Sequence, residues 1–187
     1  YIETSQLRPT EQDMNDMLAK LRGFPEVDSA APISEDPSFG VANNQGAPIV
    51  VNGIRPEDLE KLAFVRDNLD FGSFNGFGDG RKGGNNIIMG WRLANTLNLG
   101  VGDSVKLVSV NLRSTAFGNT LSQKDYTLIA TVDLGYHIAD ASFVYMPLEQ
   151  ARLFYAGGNP ARSVQVRLEN PDDVDKLKPQ IYKALGP

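Results

Sequence analysis

"KLVSVNLRSTAFGNTLSQKDYTLIATVDLG", residues 106–135, decides how this chain is read. Its two ends are rich in β-branched and aromatic side chains that alternate with polar ones, the pattern of two strands paired as a hairpin. The middle, Asn111 to Lys124, is longer than a tight turn requires and carries a lone aromatic, Phe117. A loop is expected over 109–124, with Gly118 permitting a sharp bend beside the ring. That loop contains no proline, so nothing in its backbone chemistry stiffens it.

Outward from this hairpin, the chain alternates helices and strands. Upstream, "WRLANTLNLGVGD" reads as a helix stopped by glycine, followed by a turn at Gly102-Asp103. Residues 10–24 read as an amphipathic helix capped by Thr10, with Met14, Met17, Leu18 and Leu21 on one face. The segments "VDSAAPIS", "FGVANNQ" and "APIVVNGI" read as short strands, with "NNQG" as a hairpin signal. "RPEDLEKLAF" opens a helix on proline followed by two acids. Downstream, "ASFVYMP" is a strand that passes through Pro147 into the helix "LEQARLFY". "RSVQVRLEN" is a further strand, and Asn170-Pro171 starts a last helix. The order is mixed α+β without an internal repeat of fixed period.

Composition narrows the function classes. With 187 residues, 41% of them hydrophobic, the chain supports one large or two small cores. Its 18 basic and 23 acidic side chains leave a formal net charge of -5, which argues against phosphate-backbone binding and so against nucleic acid. Cys is absent, which excludes disulfides and thiolate metal sites. No apolar run approaches the roughly 20 residues that span a bilayer. The sequence starts at Tyr1 and not at Met, so an excised or processed segment of a longer protein is expected.

Three chemical motifs fail on context. Gly78-Asp79-Gly80-Arg81-Lys82-Gly83 matches G-x-G-x-x-G literally, but the dinucleotide fingerprint needs a strand feeding it and a helix leaving it, and here the loop runs into the strand "IIMG". His137 is the only histidine, and Asp133 and Asp140, although near it in sequence, do not make a triad. Glu57-Asp58 and Asp172-Asp173 stand at helix starts, where the helix dipole favours negative charge. No catalytic residue, metal site or cofactor is therefore expected.

The ordered motifs "VNGIRPEDLEKL", "NNIIMGWRLANTLNLGVGDSVKLVS", "YTLIATVDLG", "ASFVYMPLEQARLFY" and "VQVRLENPDDVDKL" resemble the extracytoplasmic domain of the LolC/LolE family. These are permease subunits of the ABC transporter that releases lipoproteins from the inner membrane of Gram-negative bacteria, within the MacB/FtsX-like superfamily. The resemblance runs from about Pro48 to Leu177. It implies an α+β, MacB-like periplasmic domain. A porter-like α/β unit would be formed by both chain ends, 1–52 plus 142–187, and an inserted, mostly β, sabre-like unit, 53–141, would carry the hairpin. It also implies membrane helices outside the chain, a periplasmic location on an inner-membrane protein, a second permease subunit (the same or a distinct one) and a separate cytoplasmic subunit that hydrolyses ATP.

In LolC-like subunits the hairpin is similar to a hook that recruits the periplasmic lipoprotein chaperone LolA and receives it on a polar pad. Carried over, the hook is Arg113, Ser114, Thr115, Ala116, Phe117, Gly118, Asn119 and Thr120, and the pad is Lys106, Gln123 and Lys124. Lys106, Lys124 and Arg113 are expected to form a positive cluster facing the chaperone. The family's loop usually contains prolines and this one does not, which keeps open a LolE-like role in touching the lipoprotein itself. A MacB- or FtsX-like role, transmitting motion to an efflux partner or a cell-wall hydrolase, also stays open.

Overall fold

The computed structural model describes residues 2–3, 11–115, 118–155, 163–168 and 170–185. Strand β1 (Ile2–Glu3) is followed by helix α1 (Glu11–Arg22), in which Met14, Leu18 and Leu21 fall at helical spacing and are buried. The capping position expected at Thr10 lies outside the described residues. Strands β2 (Val27–Ala42) and β3 (Gln45–Ile54) then form one long hairpin, in register from Ile33↔Ile54 to Ala42↔Gln45. Asn43 (φ 49°) and Asn44 (φ 60°) are both left-handed, as a two-residue turn compatible with strand twist requires.

The expected single helix after β3 is two short ones, α2 (Pro56–Leu59) and α3 (Ala63–Arg66). An edge strand β4 (Leu69–Gly72), unexpected from the sequence, precedes the Gly-rich loop, β5 (Asn86–Gly90) and helix α4 (Trp91–Thr96). The hairpin strands β6 (Ser104–Thr115) and β7 (Gly118–Val132) follow, then α5 (His137–Ser142), β8 (Phe143–Pro147) and α6 (Leu148–Phe154). Strand β9 (Ser163–Leu168) and helix α7 (Val174–Leu185) complete the described chain.

All nine strands belong to one mixed sheet, and its pairings close on themselves. From β2 the ladder passes to β3, β8, β5, β7 and β6, then returns to β2 through Ser38↔Ser109 and Val41↔Lys106. A ring of six strands is too small to enclose a channel, so inward side chains fill it. Ile49, Val51, Ile87, Met89, Val105, Leu107, Leu128, Val144 and Met146 form that core. Helices α4 and α6 leave directly from β5 and β8 and add Leu93, Ala151 and Phe154 to the same cluster.

Two further clusters pack outside the ring. Leu59, Leu62, Val65 and Phe77 cover Ile88, Ala130, Val132 and Tyr145 on the outer wall of β5, β7 and β8. Helices α1 and α7 bring Leu18, Leu21, Leu177 and Ile181 onto Ala30 of β2 and Val164 of β9. Strand β2 serves both ends of the molecule: its first part pairs with β9, and its second with β3 and β6. The ring accordingly takes strands from both sides of the boundaries 52/53 and 142, with β2, β3 and β8 from the terminal segments and β5, β6 and β7 from the central one.

The structure corrects the loop expected over 109–124. Pairing continues through Leu112↔Leu121 to Thr115↔Gly118, so only residues 116 and 117 lie between the strands. The chain has a long paired ribbon where a loop was expected, with residues 116 and 117 outside the described residues, and ladder hydrogen bonds supply the stiffness that prolines do not.

Candidate functional site: the projecting hairpin and its root

Strand β6 pairs with both β2 and β7 only as far as Ser109, and beyond it with β7 alone. The register shifts between Val108 and Leu112 mark a bulge there. A bulge bends and twists its strand, so this is where the ribbon leaves the wall of the ring. Gly118 is exposed at φ 110°, a conformation that excludes most side chains, with open space where a Cβ would stand. Of the hook residues, Thr120 is also exposed, whereas Ala116, Phe117 and the side chains of Arg113, Ser114, Thr115 and Asn119 lie outside the described residues.

The three pad residues do not share a face. Cross-strand partners point the same way, and Lys106↔Asp125 and Val108↔Gln123 place Lys106 and Gln123 on the outer, exposed face. Leu107↔Lys124 places Lys124 on the inner face. There its Nζ donates to Gln150 Oε1 of α6 at 2.5 Å and stands 5.0 Å from the centre of the Tyr126 ring. Partial burial lowers the Lys124 pKa. The positive cluster expected from Lys106 and Lys124 together is thus split by the period of two: one lysine faces solvent and the other ties the ribbon root to a helix.

Helix α6 lies across the mouth of the ring beneath this root. Gly53 of β3 allows the approach, because a Cβ there would come within 2.7 Å of Ala151 Cβ. Tyr155, just after α6, exchanges a buried hydrogen bond with Ser38 of β2. Tyr126 and Phe154 meet edge to face at 5.9 Å, as do Phe154 and Tyr155 at 4.9 Å. Burial raises the pKa of both Tyr126 and Tyr155, and for Tyr155 the nearby Asp36 and Tyr126 add to the rise while the Ser38 bond opposes it. None of these contacts with α6 was visible in the sequence, because residues 36–38, 124–126 and 150–155 meet only through the closed ring.

The rejected motifs have structural employment. The Gly-rich loop is followed by β5, and its 3-10 turn at Arg81–Gly83 packs beside Pro147 and Glu149 at the start of α6. Gly78 at φ 85° fits against Pro56, and Gly84 at φ 68° sits against the Asp79 carbonyl. Asp140 is buried and accepts from the Leu134 N–H at 2.7 Å, while Asp133 accepts from the Gly135 N–H. Both carboxylates therefore serve backbone turns, and His137 is exposed. Asp58 does more than favour a helix start: it is buried and binds Arg55 at 2.6 Å, Arg22 at 3.4 Å and Lys61 at 3.7 Å, which ties α1 to α2. Among the described residues no three His, Cys, Asp or Glu side chains gather as a metal site.

A ring packed solid with side chains, a helix seated at its mouth and a paired ribbon leaving one wall are the features that place the candidate site. The chain belongs to the MacB-like periplasmic core domain family, whose model matches residues 2–184. It is 27% identical over 125 residues to the lipoprotein-releasing system transmembrane protein LolC of Xylella fastidiosa strain 9a5c, covering 67% of this chain and 29% of that protein. It is 22% identical over 177 residues to LolC of Neisseria meningitidis serogroup B, covering 95% and 42% respectively. This chain thus spans under half the length of these curated relatives. Among solved structures, the periplasmic region of MacB from Actinobacillus actinomycetemcomitans superposes with a TM-score of 0.56 at 14% identity, covering 99% of this chain and 74% of that one. The extracellular domain of the noncanonic ABC-type transporter YknZ from Gram-positive bacteria gives 0.53 at 15% identity, covering 90% and 84%. Both share the fold.

Proposed function

We propose that this chain is the periplasmic domain of a lipoprotein-releasing ABC transporter permease of LolC type, and that it recruits a LolA-type periplasmic chaperone. The observation that carries the proposal is the ribbon: beyond Ser109 its two strands pair only with each other and leave Ala116 and Phe117 between them. Residues 113–120 act as the hook, with the Phe117 ring entering the chaperone's acyl-chain cavity. Burying one such side chain stabilises a complex by roughly 1.5–3 kcal/mol, which suits a contact that must form and release. Lys106 and Gln123 on the outer face receive the chaperone's rim, and Lys124 holds the root in place from the inner face. The domain does no chemistry of its own. ATP is hydrolysed by a cytoplasmic subunit, and a second permease subunit completes the complex that hands lipoprotein over.

The test is capture of a LolA-type chaperone by this chain, wild type beside Phe117→Asp. Binding by the wild type and its loss in the variant are expected. No binding by the wild type, or equal binding by both, overturns the assignment.

A further inference from the structure

At the end of β7 farthest from the ribbon tip, the sheet stops on an open strand. Strand β4 closes the sheet path: it pairs with β7 on one side and with no strand on the other among the described residues. Such an edge presents backbone N–H and C=O groups to any extended chain, and proteins block it with charge, proline, a bulge or a covering element. Of these, β4 has a register shift between Leu69 and Phe71 and one charge, Asp70, whose carboxylate accepts from the Thr131 hydroxyl at 2.8 Å. All four of its residues are exposed.

Apolar side chains gather beside this edge. The three most exposed large ones among the described residues are Ile138 (78%), Tyr136 (72%) and Phe71 (68%), and Leu69 is 41% exposed. Leu69 and Phe71 belong to β4 itself. The Asp133 N–H donates to the Asn68 carbonyl at 2.9 Å, so the chain leaving β7 passes the start of β4. Tyr136 follows three residues later, within about 11 Å of backbone, and Ile138 lies in the first turn of α5. The charge here has one sign. Residues 67–80 and 125–151 contain no lysine or arginine, and Asp67, Asp70 and Asp133 are exposed. The nearest arginine in sequence, Arg66, is bonded to Asp67 at 2.8 Å.

We propose that the β4 edge, with residues 136–138 beside it, binds an extended segment of a partner protein that alternates apolar with basic side chains and adds to the sheet as a further strand. Three observations choose this occupant. An open backbone edge is satisfied by an extended chain, whereas a helix has already spent its own donors and acceptors. Leu69, Phe71, Tyr136 and Ile138 offer contacts to alternate apolar side chains of such a segment. The exposed carboxylates favour lysine or arginine at the positions between. They also oppose a second copy of this chain, which would bring Asp67, Asp70 and Asp133 against the same acidic set. The surface and the hook stand at opposite ends of β7, so failure of either proposal leaves the other untouched.

The test uses three synthetic ten-residue peptides with blocked ends: one alternating lysine with valine, one with glutamate in place of each lysine, and one keeping the lysines but with proline at two central valines. Binding to this chain is followed by fluorescence anisotropy at 0.15 M salt, and amide exchange is read at residues 69–72. Saturable binding of the lysine–valine peptide is expected, with slowed exchange in β4. The glutamate and proline peptides, and the variant Phe71→Ser/Ile138→Ser, should each weaken binding about tenfold or more. Both substituted side chains are exposed, so the variant should keep the wild-type melting temperature, and Tyr136→Ser alone is a second variant should it not. No binding of the lysine–valine peptide, equal binding of all three peptides, equal binding by wild type and folded variant, or unchanged exchange in β4 overturns the proposal. A wild-type dimer in sedimentation equilibrium that the variant dissociates assigns the edge to a second copy and overturns it as well.

Discussion

Tyr126 and Tyr155 provide the sharpest test of how α6 is seated on the ring, because losing one hydroxyl from each should move stability in opposite directions. The Tyr126 hydroxyl is enclosed and has no hydrogen-bonding partner among the described residues, while its ring packs on Phe154 and beneath Lys124. Phenylalanine keeps those ring contacts and removes an unsatisfied buried polar group, whose cost is about 1–3 kcal/mol. Tyr126→Phe is therefore expected to stabilise by about 1 kcal/mol, a rise of roughly 2–4 °C in Tm for a chain of this size. Tyr155→Phe removes the partner of Ser38, which is itself only 3% exposed. Stranding that hydroxyl is expected to destabilise by about 1–3 kcal/mol, and Ser38→Ala in the Tyr155→Phe background should recover part of it. Urea denaturation at pH 7 with the m-value held constant measures both. Destabilisation by both single variants, or stabilisation by both, would refute the placement of the two hydroxyls.

The same pair sets an alkaline limit. Both phenols have folded-state pKa values raised by burial, so above pH 10 the unfolded state releases their protons first. Stability then falls as pH rises, by up to about 1.4 kcal/mol per pH unit for each tyrosine. Each Phe variant should flatten its own share of that slope.

Three other substitutions probe the supports of the site. Gly53→Val forces a side chain into the seam between β3 and α6, where even a Cβ meets Ala151, and should cost roughly 1–3 kcal/mol in the same denaturation assay. Asp58→Ala removes the buried acceptor shared by Arg55, Arg22 and Lys61 and should cost about 1.5–3 kcal/mol, with faster amide exchange in α1. Arg22→Ala, which removes a longer pair from a half-exposed side chain, should cost under about 1 kcal/mol in the same measurements.

Much of the fold was legible where local chemistry decides it. Asn43-Asn44 announced the β2–β3 turn, the Met14–Leu18–Leu21 stripe announced α1, and Pro147 marked the passage from β8 into α6. Long-range pairing was not legible. "VDSAAPIS" and "FGVANNQ" read as two short strands, whereas they belong to one strand, β2, of 16 residues whose neighbours change along its length. Helix α5 and strand β4 are short and gain their order from the elements they pack on, so no periodicity betrayed them.

At the candidate site, "STAFGNT" has the composition of a turn, yet the bulge after Val108 resets the register and pairing continues to Thr115. The aromatic tip was visible as a residue type. The division of Lys106 from Lys124 was latent in the period of two but needed the register to fix it. The role of Gln150 needed the closed ring, since 26 residues separate it from Lys124.

The most direct test places a photoactivatable phenylalanine analogue at position 117 of the complete permease, assembled with its partner subunits in membranes and mixed with a LolA-type chaperone. The expected result is a crosslink from position 117 to residues lining the chaperone's acyl-chain cavity, lost when acylated lipoprotein already fills that cavity. Crosslinks from 117 that stay within this chain, in a preparation that still captures the chaperone, would contradict the hook.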